Sequence, residues 1–306
     1  MTTQVFGHKS PDTDSTGSPI IWAWYLNEIK GVAAAPKLLG EPNTEALFVL
    51  KRWNLDKPEI ISGVDAGTPV VIVDTNNPAE LPEAINDADI TAIIDHHKLV
   101  GGLETKGPID ITIRPLACTA TIMYDLMGDD AAKMPEAIKG AALSCIISDT
   151  LEFRSPTTTD RDREVVEALA ADLGVDVAAY ASEMFEAKSD ISAFSDAELI
   201  RMDSKEYEVD GTKFRVSVLE TTAPKLVLDR KDSLMASFAD VAKEDGVDEV
   251  LLFAVDILNE EATLLVPNDL VKGVAEKSFG ATVTGDLVVL PGIMSRKKQI
   301  IPNLKV

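Results

Sequence analysis

Two short runs constrain the fold most. VVIVD at residues 70–74 is four consecutive apolar residues followed by an acid, and TAIID at 91–95 repeats the pattern. Such runs are strands buried on both faces, the kind found in parallel sheets covered by helices. Helical segments alternate with them. Ser18 to Lys30 offers Ile20, Trp24 and the Leu26–Ile29 turn as an apolar face, and residues 119–127 and 136–148 also read as helices. Thr159 and Asp160 can cap a further helix over 161–173, and Asp176 another over 177–187. With a first strand at residues 2–6, the alternation predicts an α/β fold with a mainly parallel sheet flanked by helices.

The texture changes at KSDISAFSDAEL (188–199), whose Ser and Asp residues suit a linker. Beyond it KFRVSVLE (213–220), EVLLFAVDIL (249–258) and GDLVVLPG (285–292) read as strands, and LMASFADVAKEDG (234–246) as a helix. The expected organisation is an N-terminal domain over 1–188, a linker over 189–195, and a smaller C-terminal α/β domain over 196–306.

In an open parallel sheet, ligands gather beyond the carboxyl ends of the strands. Here those ends are rich in metal-ligating groups. The first strand runs into GHKSPDTD, with His8, Asp12 and Asp14; the second ends at Asp74; the third ends at Asp95, His96 and His97. Asp149 follows the apolar helix ALSCIIS, and the chain's three histidines all lie in these stretches. A single histidine or aspartate at a strand end is ordinarily a turn former or a cap. Together they offer mixed nitrogen and carboxylate donors, which suit Mn²⁺, Co²⁺ or Zn²⁺. There are more donors than one ion uses, as in a pair of ions sharing a carboxylate. Such pairs hydrolyse phosphorus esters and anhydrides by generating a hydroxide and clamping the leaving oxygens. Cys118 and Cys145 sit among small and apolar residues and read as buried structural thiols.

A second constellation is basic. MSRKKQIIP (294–302) groups Arg296, Lys297 and Lys298 in a chain of formal net charge −22. Guanidinium and ammonium groups pair naturally with phosphate oxygens, although a solvated basic end is the plainer alternative. Lys205, in RMDSKEYEVDG, says little alone. The acidity argues against a general nucleic-acid binder, and a small anionic substrate needs local cations against the global field. No apolar leader and no stretch of 18 apolar residues occurs, so neither a signal peptide nor a membrane partner is expected and a cytoplasmic location is the default.

GHKSPDTDS, VD at 73–74, DHH at 95–97, SDTLEFRSPTTTD at 148–160 and SRKKQIIP at 295–302 together resemble the family II inorganic pyrophosphatases of the DHH phosphoesterase superfamily. The resemblance spans almost the whole chain. It implies a DHH domain plus a DHHA2-like domain, with pyrophosphate hydrolysed between them. It implies His8, Asp12, Asp14, Asp74, His96 and Asp149 as metal ligands, with Asp74 as the bridge. His97 is implied as proton donor to the leaving phosphate and Asp95 as the group orienting a histidine; Lys205, Arg296 and Lys297 are implied as phosphate binders. Two Mn²⁺ or Co²⁺ ions, Mg²⁺ arriving with substrate, and a homodimer through the N-terminal domain complete the expectation. One departure stands out: the family commonly reads VDHNE where this chain reads VDTNN, with Thr75 and Asn77 in place of histidine and glutamate. Exopolyphosphatases and small-oligonucleotide or cyclic-dinucleotide phosphodiesterases share the N-terminal motifs. They tend to carry a glycine–histidine motif near the C-terminus, whereas this chain has no histidine after His97.

Overall fold

The computed structural model describes residues 1–306 and divides into two compact units, Met1–Lys188 and Ser189–Val306. In the first, strands β1 (Thr3–Phe6), β2 (Ala34–Leu38), β3 (Glu59–Ile60), β4 (Pro69–Val73), β5 (Asp89–Asp95) and β6 (Asp110–Ile113) form one sheet in the order β3-β2-β1-β4-β5-β6. Every neighbouring pair is parallel. Helices α1 (Thr13–Glu28), α2 (Thr44–Arg52), α3 (Thr119–Met127), α4 (Glu136–Thr150), α5 (Asp160–Leu173) and α6 (Val177–Lys188) complete the unit. The chain leaves β1 toward β2 and β3 on one side, then returns to place β4 on the other. That reversal opens a crevice at the carboxyl ends of β1 and β4, the usual ligand position in such sheets.

α1 begins five residues earlier than its apolar face suggests, at Thr13 rather than Ser18, and ends at Glu28 rather than Lys30. Asp12 is its cap, accepting a hydrogen bond from the Ser15 amide, so DTDS is a helix start and not only a turn. Thr13 to Ile21 are buried throughout, because α4 packs antiparallel along α1. The approach is close: a Cβ on Gly17 would lie 2.3 Å from Cys145 Sγ. Both cysteines are buried and unpaired with each other.

The second unit holds β7 (Ser204–Val209), β8 (Thr212–Thr221), β9 (Glu249–Asp256), β10 (Glu261–Leu265) and β11 (Leu287–Pro291) in the order β11-β10-β9-β8-β7. Only β8 and β9 are parallel; the other pairs are antiparallel. Its helices are α7 (Asp196–Met202), α8 (Pro224–Leu228), α9 (Lys231–Asp245) and α10 (Asp269–Phe279). The continuous apolar run of β9 has a direct cause. Leu251, Phe253 and Val255 pack in one core with α10, while Val250, Leu252 and Ala254 pack in another with α9. The strand stops at Asp256, two residues short of the expected 258, because the Asp256 carboxylate accepts from the Leu258 and Asn259 amides and turns the chain. Asp210 and Gly211, both at positive φ, close the β7–β8 hairpin. No helix is long and apolar enough to cross a membrane.

Gly17→Ala tests the α1–α4 approach. Overpacking there should lower unfolding stability by about 1–3 kcal/mol in a denaturant titration; an unchanged midpoint would contradict the contact.

Candidate metal centre

Strand register builds the centre. Phe6 lies opposite Ile72, so the chain just past β1 and just past β4 arrives at one level. His8 Nε2 is 3.4 Å from Asp74 Oδ2. Ile94 lies opposite Val73, which brings His96 to the other side, its Nε2 3.3 Å from Asp74 Oδ1. Asp74 takes a left-handed φ of 57°, a conformation aspartate adopts more readily than most residues. Its buried carboxylate therefore has one imidazole nitrogen near each oxygen.

α1 and α4 supply the remaining acids. The capping residue Asp12 places Oδ2 3.7 Å from His8 Nε2. Asp14, in the first turn of α1, accepts from Ser18 Oγ at 2.6 Å and from the Thr119 amide at 2.8 Å. Thr119 Oγ1 also donates to Asp74 Oδ1 at 3.2 Å. Asp149 stands near the end of α4, and its Oδ2 is buried without a hydrogen-bond partner. Just beyond it Leu151, Glu152 and Phe153 all take positive φ, a strained exit from the helix. Donor atoms of His8, Asp12 and Asp74 lie within 4.8 Å of one another, as do those of Asp14, His96 and Asp149, and those of Asp74, His96 and His97.

The histidines are oriented from behind. His96 Nδ1 lies 3.3 Å from the Leu116 carbonyl; donation there leaves Nε2 as the free donor atom toward the acids. His97 Nδ1 is 2.8 Å from Asp95 Oδ1, and Asp95 is held in turn by Asn76 Nδ2 at 2.6 Å. Asn76 also receives the Val100 amide and donates to the Lys98 carbonyl, fixing the loop after DHH. Thr75 points elsewhere: its hydroxyl donates to Glu80 at 2.6 Å, and Asn77 caps the turn that carries Glu80.

The charge state reflects crowding. Burial and the neighbouring Asp74 charge push the Asp14 carboxyl up to about 6. Burial, with Asp14 and Asp74, pushes Asp149 well above the ordinary range. Burial alone would lower the histidines, but the hydrogen bonds and charges of Asp12 and Asp74 outweigh it and hold His8 up to about 10. Asp74, Asp14 and Asp95 outweigh burial in the same way and hold His96 up to about 9. Protons thus occupy positions where a cation would relieve the same repulsion. The orphaned Asp149 oxygen, the two donor sets on either side of Asp74 and the absence of thiolate donors all fit a pair of borderline divalent ions.

In the second unit, Arg296 donates from Nη1 to the Asp203 carbonyl and from Nη2 to Asp203 Oδ1, both at 2.7 Å. Lys205, Tyr207, Glu220, Arg296 and Lys297 line a pocket of about 440 Å³ there. Lys298, next in sequence, does not line it. Gln299 shapes the loop: its carbonyl oxygen accepts from the Met294 and Ser295 amides, and its amide donates to the Gly292 carbonyl.

Every candidate named from the sequence except Lys298 falls in one of these two clusters. Ser18, Thr119, Asn76, Asp203 and Gln299 were missed. Ser18 had a local signal, four residues after Asp14 on a helix, whereas Thr119 meets Asp14 across 105 residues of chain and had none.

The pH dependence follows in sign. A divalent ion must expel the protons on Asp14, His8 and His96, so Mn²⁺ affinity should climb from about pH 6 toward 9. The raised histidines stabilise the metal-free fold fully below their ordinary 6.5, and that contribution is lost as pH rises through about 9 and 10. Calorimetry should therefore show the Mn²⁺-induced rise in Tm growing over this window; free ion at 100 times Kd adds about 2.7 kcal/mol. A rise independent of pH would contradict the assignment.

The DHH family N-terminal domain matches residues 2–148, and the DHHA2 domain matches residues 182–306. A probable manganese-dependent inorganic pyrophosphatase of Deinococcus radiodurans is 40% identical, the match covering 98% of this chain and 97% of that one. Its counterpart in Lactobacillus acidophilus is 35% identical over 98% of this chain and 96% of its own. A solved Methanococcus jannaschii structure, assigned to family II inorganic pyrophosphatases, aligns with a TM-score of 0.61 and 34% identity, covering 99% of this chain and 98% of that one. An exopolyphosphatase-related structure from Bacteroides fragilis shares the fold at a TM-score of 0.51 and 12% identity, over 98% of this chain and 89% of that one. With its two domain matches and full-length similarity, the chain belongs to the manganese-dependent, family II inorganic pyrophosphatases.

Proposed function

We propose that the chain hydrolyses inorganic pyrophosphate to two orthophosphates. The observation that carries the proposal is the pair of donor sets flanking Asp74 at the sheet's switch point. His8, Asp12 and Asp74 would hold one divalent ion, and Asp14, Asp74, His96 and Asp149 a second; Mn²⁺ fits both, Co²⁺ is the expected substitute, and Mg²⁺ arrives with substrate. When bound, the ions supply the positive charge that makes water nucleophilic at neutral pH and draws charge off the phosphoryl oxygens.

The protein's own groups do the rest. Asp95 accepts from His97 Nδ1, so the imidazole is held with Nε2 facing outward. That hydrogen bond, against an opposing effect of burial, raises the His97 pKa and keeps a proton available at Nε2 for the departing phosphate. Arg296 is prearranged by Asp203, so little side-chain entropy is lost when it meets phosphate oxygens. Lys205 and Lys297 add positive charge on the same pocket. The alternative, another DHH phosphoesterase, shares the N-terminal donor sets; the Arg296–Lys297 pocket and the lack of a histidine after His97 favour the pyrophosphatase reading. Domains over 1–188 and 196–306 with a linker between them are part of the same proposal.

Phosphate release tests it. Chelator-stripped protein given Mn²⁺ or Co²⁺ should hydrolyse pyrophosphate rapidly and dinucleotides hardly at all. Asp149→Asn should abolish Mn²⁺-supported turnover, and His97→Gln should lower kcat by roughly 10²–10⁴-fold while Mn²⁺ still binds. Full activity in Asp149→Asn, or preference for a dinucleotide, would overturn the reading.

We also propose a homodimer through the first unit. β6 is an edge strand with an unpaired outer side, and Ile111 on it is 56% exposed beside an apolar groove lined by Trp22, Tyr25 and Val32. Sedimentation should give twice the 32.9 kDa chain mass, and Ile111→Lys should shift it toward monomer; a monomeric parent chain would contradict this surface.

A further inference from the structure

One buried acid takes no part in the chemistry above. Glu45, in the first turn of α2, has a fully buried side chain. Its Oε2 accepts from Thr13 Oγ1 at 2.9 Å and from Ser148 Oγ at 2.7 Å. Lys188 Nζ lies 3.3 Å from the same oxygen, while Oε1 is buried without a partner. Thr13 stands between Asp12 and Asp14, and Ser148 immediately precedes Asp149. A single oxygen atom therefore ties together the two segments that carry three of the candidate ligands.

We infer that Glu45 is a positioning residue for the metal centre, fixing the α1 start against the α4 end, with Lys188 as the cation paired with the shared oxygen. Packing alone gives no reason for an acid here. An apolar side chain of similar volume is often neutral or stabilising where a buried ion pair stood. A carboxylate differs in accepting several hydrogen bonds at once, which ties the start of α1 to the end of α4. Partners that orient metal ligands from behind typically change metal affinity by 10–100-fold when removed. Glu45 reaches the ligands through the backbone of their immediate neighbours, so its effect belongs to metal affinity before it belongs to turnover. The inference rests on the metal reading of the His8–Asp149 cluster.

Mn²⁺ titration of the stripped full-length chain, with free ion read by electron paramagnetic resonance well below Tm, tests it. Glu45→Leu should weaken Mn²⁺ binding roughly 10-fold or more. Glu45→Gln should lose less, because an amide oxygen in the Oε2 position still accepts both hydroxyls. Lys188→Met should weaken binding in the same direction while leaving those hydrogen bonds in place. If Glu45→Leu fails to fold, the other two variants carry the test. Mn²⁺ binding within twofold of the parent chain in every folded variant, with only Tm altered, would reduce Glu45 to a structural residue and overturn the inference. A parent chain that binds no Mn²⁺ would instead overturn the metal reading itself.

Discussion

Asp12, Asp14, Asp74 and Asp149 cannot all remain ionised in one crevice without compensating charge. Two like charges 4 Å apart repel by about 4 kcal/mol in an effective dielectric of 20. A hydrogen bond to a charged group returns about 1.5–3 kcal/mol, so Ser18, Thr119 and the Ser15 amide do not balance several such pairs. The metal-free protein answers by keeping protons on His8 and His96 and by raising Asp14 and Asp149. Divalent ions offer more charge in less space. The centre is thus built in a state of electrostatic demand, and the surrounding fold supplies the rigidity that lets the demand persist.

That rigidity comes from the sheet. Parallel pairing of β1 with β4 and of β4 with β5 brings the strand ends that carry His8, Asp74 and His96 to one level; the Ser15 hydroxyl and the Leu116 carbonyl then hold the loops beyond them. The close α1–α4 contact at Gly17 and Cys145 then carries Asp14 and Asp149 to the same crevice. The second unit works differently. Its cations sit on a strand, β7, and on a π-helical turn, Arg296–Ile300, whose Gln299 holds the preceding loop, and Arg296 is already committed to Asp203.

Much of this was legible from the residues, and the reason differs by element. VVIVD announces its strand because a strand buried on both faces has no polar positions; TAIID repeats the run only in part, since Thr91 at its start is exposed. β2 and β3 were not seen, since a proline lies inside the first and the second has two residues. The start of α1 was misplaced because Asp12 serves both as helix cap and as candidate ligand, and the sequence displays only the second role plainly. The candidate donors were readable because most of them cluster just beyond strand ends. The groups that orient them were not, because Thr119, Asn76 and Glu45 act across long separations that only the folded chain closes.

The central claim is that Asp74 is shared between two ions, one on the His8–Asp12 side and one on the Asp14–His96–Asp149 side. Anomalous diffraction at the manganese edge, from crystals grown with Mn²⁺, measures this directly. The account predicts two peaks flanking the Asp74 carboxylate, one beside each donor set. A single peak, or peaks away from Asp74, would contradict it.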